Sequence, residues 1–234
     1  MDNEERIIAE LADGQSALRL RAAAQYCAPG PLVERAVPAL IELTRAREPS
    51  LREAGVAALG NVRQPDSLRS AIQAMLALNV FSAVGVQRAV VHAFRGFFSL
   101  DEPGLSAVVS DFERAMMAYV RDCLRADLGC GAAVVSVSMP VFAEGLRKNP
   151  VHAELLRPLL DADAHPPQTV LNALQVVCFS APAGALLVDA IAGLLAHKES
   201  RLRSWVRAVL EAIGNEEALG ACGACPVSGF SAKD

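Results

Sequence analysis

Four stretches of this chain are built on one pattern. They are Leu18-Arg19-Leu20-Arg21-Ala22-Ala23-Ala24, Leu51-Arg52-Glu53-Ala54-Gly55-Val56-Ala57-Ala58-Leu59, Val86-Gln87-Arg88-Ala89-Val90-Val91-His92-Ala93-Phe94 and Leu202-Arg203-Ser204-Trp205-Val206-Arg207-Ala208-Val209-Leu210. Each opens on an aliphatic residue and a polar one, passes two variable positions, and continues in small or aliphatic residues. Apolar positions at i, i+4, i+5, i+7 and i+8 share one side of an α-helix, broad enough to demand burial. The first two copies start 33 residues apart and the third starts 35 later. A repeat of this length constrains the fold more than any other property of the chain. One amphipathic hairpin cannot bury its own apolar side, so successive copies must stack on one another.

A second helix precedes each copy. The clearest case is Pro31 to Thr44, followed by Arg45-Ala46-Arg47-Glu48-Pro49-Ser50 and then the Leu51 helix. Pro31 suits a first helical turn, and Pro38 is expected to bend the helix interior. Pro49 is expected to stop the first helix and Ser50 to cap the second through its hydroxyl. Gly60 is expected to end that second helix in the left-handed conformation. The whole chain then reads as about six helix pairs: 2–12 with 16–27, 31–46 with 50–60, 66–78 with 84–98, 105–124 with 131–147, 151–161 with 168–179, and 183–197 with 200–213. Composition agrees. Hydrophobic residues make up 53% of the chain and aromatics only 5%, so the core is built from Ala, Leu and Val, two of which are strong helix formers.

The Ala36 to Val62 stretch, with its internal proline, Pro49-Ser50 turn, Leu51-Arg52 and Ala57-Ala58-Leu59-Gly60, resembles the HEAT-repeat family. The resemblance extends to the copies at Leu18, Val86 and Leu202 and fades between residues 100 and 180. It implies an all-α, right-handed α-α superhelix (a HEAT-like, armadillo-type solenoid) over residues 1–214. It also implies that the second helix of each pair lines a concave side that grips a partner protein. Arg19, Arg52 and Arg203 match the family's position for an arginine that bridges neighbouring repeats. Gln87 stands in its place in the third repeat.

The two helix layers differ in charge. The second helices carry nine arginines against three glutamates, and the first helices seven arginines against thirteen carboxylates. The layer expected on the concave side is therefore basic within a chain of net charge −4. Either these arginines pair with carboxylates of adjacent repeats, or they steer an acidic protein segment. The second helices of the fourth and fifth pairs are almost uncharged, and are either buried on both sides or an apolar binding patch.

Other function classes find little support. Neither apolar stretch, 128–143 or 176–196, gives a clean membrane span, and the acidic start is unlike a secretory signal. The net negative charge and single tryptophan, Trp205, disfavour a nucleic-acid partner. His92, His152, His165 and His197 lack metal-ligand spacing, and no phosphate-binding or nucleophile-elbow motif occurs. Gly129-Cys130-Gly131 has no identifiable base beside its thiol. Residues 215–234 read as a flexible tail holding Cys222 and Cys225, whose Cys-x-x-Cys spacing is the one weak metal alternative. With six cysteines and no need of crosslinks, the expected location is cytoplasmic. The reading is a non-catalytic binding scaffold or adaptor without a cofactor, contacting a partner protein through Arg21, Glu53, Arg88, His92, Arg95, Ser204, Trp205 and Arg207. The alternative is a HEAT-like lyase of the bilin-attaching kind or a thiol- or metal-dependent, cofactor-handling enzyme.

Overall fold

The computed structural model describes residues 3–26, 28–78, 82–125, 131–214 and 218. All regular structure among the described residues is helical, with no strand. None of the helices found there is long and apolar enough to cross a membrane. Internal packing divides the chain into two compact units, Met1–Cys123 with Leu128–Val141, and Leu124–Asp127 with Phe142–Asp234.

The first unit holds α1 (Asn3–Leu11), α2 (Ser16–Ala24), α3 (Pro31–Thr44), α4 (Pro49–Leu59), α5 (Pro65–Leu76), α6 (Val84–Phe98), α7 (Pro103–Asp122) and the beginning of α8 (Ala132–Lys148). Four of these helices open on proline, where the fixed φ is already helical and the missing N–H would have had no intrahelical partner. Odd helices pack on odd ones, α1 on α3, α3 on α5 and α5 on α7. Even helices pack on even ones, α2 on α4 and α4 on α6, while α1–α2 and α3–α4 close hairpins. The core between the two layers contains Leu40, Leu43, Val56, Leu59, Ile72, Met75, Val90, Phe94 and Phe97, none with measurable exposure. Fully burying a side chain of this size stabilises by about 1.5–3 kcal/mol. Phe94 also meets Tyr119 of α7 edge to face, with ring centroids 5.7 Å apart.

α3 is continuous through Pro38, which lies on the exposed side of the helix. Other local expectations are corrected. Pro49 does not stop α3, which has ended at Thr44; it opens α4. Ser50 does not cap α4: its hydroxyl donates instead to Oε1 of Glu48 at 2.6 Å. Hydrogen bonds from the Ser16 and Ser50 hydroxyls, with the charge of Arg19, hold the Glu48 carboxyl below its ordinary pKa. Gly60 is right-handed, at φ −61°. A Cβ there would lie 3.3 Å from Cβ of Ala93, so this glycine serves the close approach of α4 to α6.

The repeat arginines make their hydrogen bonds within their own hairpins. Arg19 Nε donates to the Leu11 carbonyl at 2.9 Å. Arg52 Nη1 donates to the carbonyls of Ala46 and Arg47 at 3.1 and 3.2 Å. Arg203 Nη1 does the same to His197 and Lys198 at 2.7 and 2.8 Å. The hydrogen bonds of these three arginines therefore close hairpins rather than bridge repeats. Cross-links between successive pairs come from other residues. One oxygen of Glu34 accepts the backbone N–H groups of Arg63 and Gln64 ahead of α5, and Asn61 donates to the Tyr26 carbonyl at 3.0 Å.

The second unit holds the rest of α8, α9 (Pro167–Phe179), α10 (Val188–Gly193) and α11 (Ser200–Ile213). The helices expected over 151–161 and 183–197 are broken into short 3-10 turns, Pro150–Leu155, Arg157–Leu160, Ala181–Leu187 and Leu194–Ala196, with α10 between the last two. Pro158 lacks the N–H an α-helix would need there, and Gly184 and Gly193 weaken the second segment. α9 packs on α11 and on the turns, and its residues Thr169 to Leu174 are all buried. The uncharged 168–178 helix is thus core rather than an apolar patch. Asn172 inside it donates to the Leu124 carbonyl at 2.7 Å.

Arg157 ties the turns of this unit together. It binds Glu154 through both carboxylate oxygens, Asp189 Oδ2 at 2.8 Å and the Leu186 carbonyl at 2.9 Å. Those hydrogen bonds hold the Glu154 and Asp189 carboxyls below their ordinary pKa values of 4.5 and 3.8, and push the guanidinium further up.

Two predictions follow from this packing. A Cβ on Gly184 would clash with Cγ1 of Val177, a stiff buried neighbour, whereas one on Gly96 meets nothing within 4 Å. Gly184→Ala should therefore destabilise by about 1–3 kcal/mol, and Gly96→Ala should stabilise by up to about 1 kcal/mol, both read from urea unfolding. The second concerns acid. Glu154 and Asp189 have folded pKa values below their unfolded ones, so their contribution is complete above the unfolded values and is lost as pH falls through the folded ones. Between about pH 5 and pH 3 the unfolding midpoint of Arg157→Gln should fall less steeply than that of the parent.

Candidate functional site

α4 and α6 lie side by side in the even layer of the first unit, and a depression of about 470 Å³ opens along their seam. Its floor is made of residues with almost no side chain, among them Ala57, Ala89, Ala93 and Gly96. The repeat pattern explains this, since small residues at these positions let two neighbouring helices approach closely. Glu53, Arg63, Arg88 and His92 form its polar margin.

The sequence-predicted residues divide into groups. Glu53, Arg88 and His92 are brought together at the groove, and Arg95 follows one turn beyond His92 on α6. All four are exposed. Arg88, His92 and Arg95 are spaced i, i+4 and i+7, so they form one row on the outer face of the helix. Among the described residues none of the three side chains makes a hydrogen bond or ion pair. Arg21 is different, because its guanidinium binds Glu10 at 3.0 Å. Ser204, Trp205 and Arg207 belong to α11 in the second unit. The Ser204 hydroxyl is turned back to the Ser200 carbonyl at 3.1 Å, Trp205 is half-buried, and Arg207 already has a partner.

Arg63 and Asn61 are groove residues that the sequence reading missed. Both lie just past the end of α4, outside the helical repeat. Arg63 Nη1 donates to the carbonyls of Gly60 and Val62 at 3.1 and 2.6 Å, which fixes it beside the seam. Glu53 sits over the first turn of α6, since a Cβ on Gly85 would fall within bonding range of its carboxylate. The chain's own carboxylate thus faces the positive end of that helix.

A second depression, of about 370 Å³, lies in the second unit beside Asp161, Asp163 and His197. Asp161 Oδ1 is used in a local turn, accepting the N–H groups of Asp163 and Ala164 at 3.0 and 3.1 Å. Among the described residues no group of three or more His, Cys, Asp or Glu is placed to hold a metal ion. Cys123 is buried, and Cys178 is half-buried as a free thiol. Cys130, Cys222, Cys225 and the expected tail lie outside the described residues, apart from Ala218.

Similarity to known proteins is confined to shape. No family model matches the chain, and no curated protein does. Two crystal structures of engineered proteins, Northeast Structural Genomics Consortium targets OR329 and OR366, are similar to it. The first has a TM-score of 0.54 and 16% identity, covering 92% of this chain and 97% of its own. The second has a TM-score of 0.55 and 16% identity, covering 91% and 99%. At that identity the likeness speaks for the all-helical fold alone.

Proposed function

We propose that the chain is a non-catalytic protein-binding scaffold or adaptor, built as a HEAT-like solenoid of about six helix pairs. It grips a partner protein on the layer formed by the second helix of each pair. The observation that carries this reading is the row Arg88, His92 and Arg95, exposed and without an ionic partner among the described residues, beside the groove between α4 and α6. Arginines used for architecture in this fold are engaged by carbonyls or carboxylates, as at Arg52, Arg157 and Arg203. A row left open on a surface with a recess beside it suits contact with another molecule. The small floor admits a bulky side chain or a helix, and the polar margin orients it. Trp205 and Ser204 on α11 are proposed as contacts of the second unit.

The test is capture from native lysate by the parent chain and by Arg88→Glu/Arg95→Glu. The double variant should lose about tenfold or more of the captured partner, equivalent to ~1.4 kcal/mol. Its melting temperature should be unchanged, because neither side chain supports the fold. Capture equal to that of the parent would remove the groove from the function.

A further inference from the structure

We infer that the ligand of the α4–α6 groove is an acidic α-helix, laid along α6 with its carboxylates against Arg88, His92 and Arg95. This rests on the binding-scaffold reading above and adds the chemistry and shape of the partner.

The charge is the first argument. α6, Val84–Phe98, contains no acidic residue, and the margin of the groove adds Arg63 to the row. The one carboxylate at the groove is Glu53, and it lies at the far end, over Gly85 and the first turn of α6. The field is thus positive along the row and negative at one end. A carboxylate segment is attracted along the row and repelled at the Glu53 end.

Spacing is the second. Arg88 and Arg95 are separated by about 10 Å along the helix axis, with His92 between them. Glutamates at i, i+4 and i+7 of a second helix repeat that spacing, so three contacts form in one register. An extended strand would bring its same-side residues at intervals of about 7 Å and match only part of the row.

The floor is the third. Ala57, Ala89, Ala93 and Gly96 stand no higher than a methyl group, and the space above Gly96 is open. Helices pack with axes 8–10 Å apart when the residues between them are small. Polyphosphate chains fit less well. The groove is lined by no Phe, Tyr or Trp ring on which a base could stack, and the chain as a whole carries net charge −4.

The experiment is fluorescence anisotropy of the full chain with a labelled eighteen-residue helical peptide carrying glutamate at i, i+4 and i+7 on an alanine background. Its counterpart with glutamine at those positions and a thymidine oligonucleotide of the same length serve as comparisons. The glutamate peptide should bind, the glutamine peptide should bind at least tenfold more weakly, and the oligonucleotide should not compete. Arg88→Gln/Arg95→Gln should weaken the glutamate peptide about tenfold or more, and Arg88→Lys/Arg95→Lys should restore most of the loss. Glu53→Gln should strengthen it severalfold by removing the repulsive end. Equal binding of the two peptides, indifference to the arginine variants, or preference for the oligonucleotide would overturn the inference. Lysate capture that depends on Arg88 and Arg95 while the glutamate peptide goes unbound would sink the acidic-helix ligand and leave the scaffold reading standing. Peptide binding through the row with lysate capture indifferent to it would sink the scaffold reading instead.

Discussion

Where the first helix of a hairpin gives way to the turn, backbone carbonyls there lack intrahelical donors, and the rest of this architecture depends on how they are satisfied. In the second and last hairpins the donor is an arginine near the start of the following helix, reaching carbonyls six and five residues before it. Arg19 does the same work across a different turn, reaching back eight residues to Leu11. A guanidinium fits this task because its planar fork can serve two carbonyls at once while its stem lies along apolar surface. The turn is thereby held in one geometry, and the two helices of the hairpin present their apolar sides to the same neighbour. The i−5 and i−6 register recurs in both units, so it belongs to the repeat rather than to one site.

Once hairpins are fixed, the width of their seams decides what surface remains. α4 meets α3 and α6 through glycines: Gly55 lies under the Leu40 carbonyl and Leu43, and Gly60 against Ala93. Side chains larger than alanine at the seam would separate the helices and fill the recess above them. The groove between α4 and α6 is therefore a consequence of close packing below it. The second unit solves the same problem differently. Its outer layer is made of 3-10 turns that cannot offer a long apolar stripe, and the Arg157 clamp to Glu154, Asp189 and Leu186 supplies contacts that a continuous helix would have made by packing.

Much of this was legible in the residues. Ten of the twelve helix spans read from periodicity correspond to α-helices of the structure, because amphipathic spacing and proline at a helix start are local signals. The two that failed, 151–161 and 183–197, have the apolar spacing of a helix, but Pro158 stands inside the first and Gly184 and Gly193 inside the second, and backbone propensity there outweighed the side-chain pattern. Gly60 and Ser50 were misread for a related reason. A glycine needed for close approach and one needed for positive φ look identical in sequence, and among the described residues only Gly214, at φ +66°, is of the second kind. Arg88 and His92 were found because they lie inside the repeat. Arg63 was missed because it lies in a turn, where no period marks which residues face a neighbouring helix.

The open cations of α6 have a physical origin in how charge is distributed along the chain. Acidic residues outnumber basic ones, 26 to 22, so arginine is not short of partners in the composition. Ion pairs among the described residues include local ones and ones that cross to the next odd helix, as with Arg45 and Glu42 or Arg69 and Asp111. α6 has no carboxylate of its own, and Glu53, the one carboxylate of its even neighbour α4, is held at the far end. The separation of acid onto one layer and base onto the other thus removes the partners that would have neutralised the row. Exposed arginines stay hydrated and cost the fold little, and pairing them would have stabilised it little. What they do produce is a positive strip, with a range of about 8–10 Å at physiological salt, on a chain that is negative overall. Folding does not need such a strip, and its effect is felt by whatever approaches the groove.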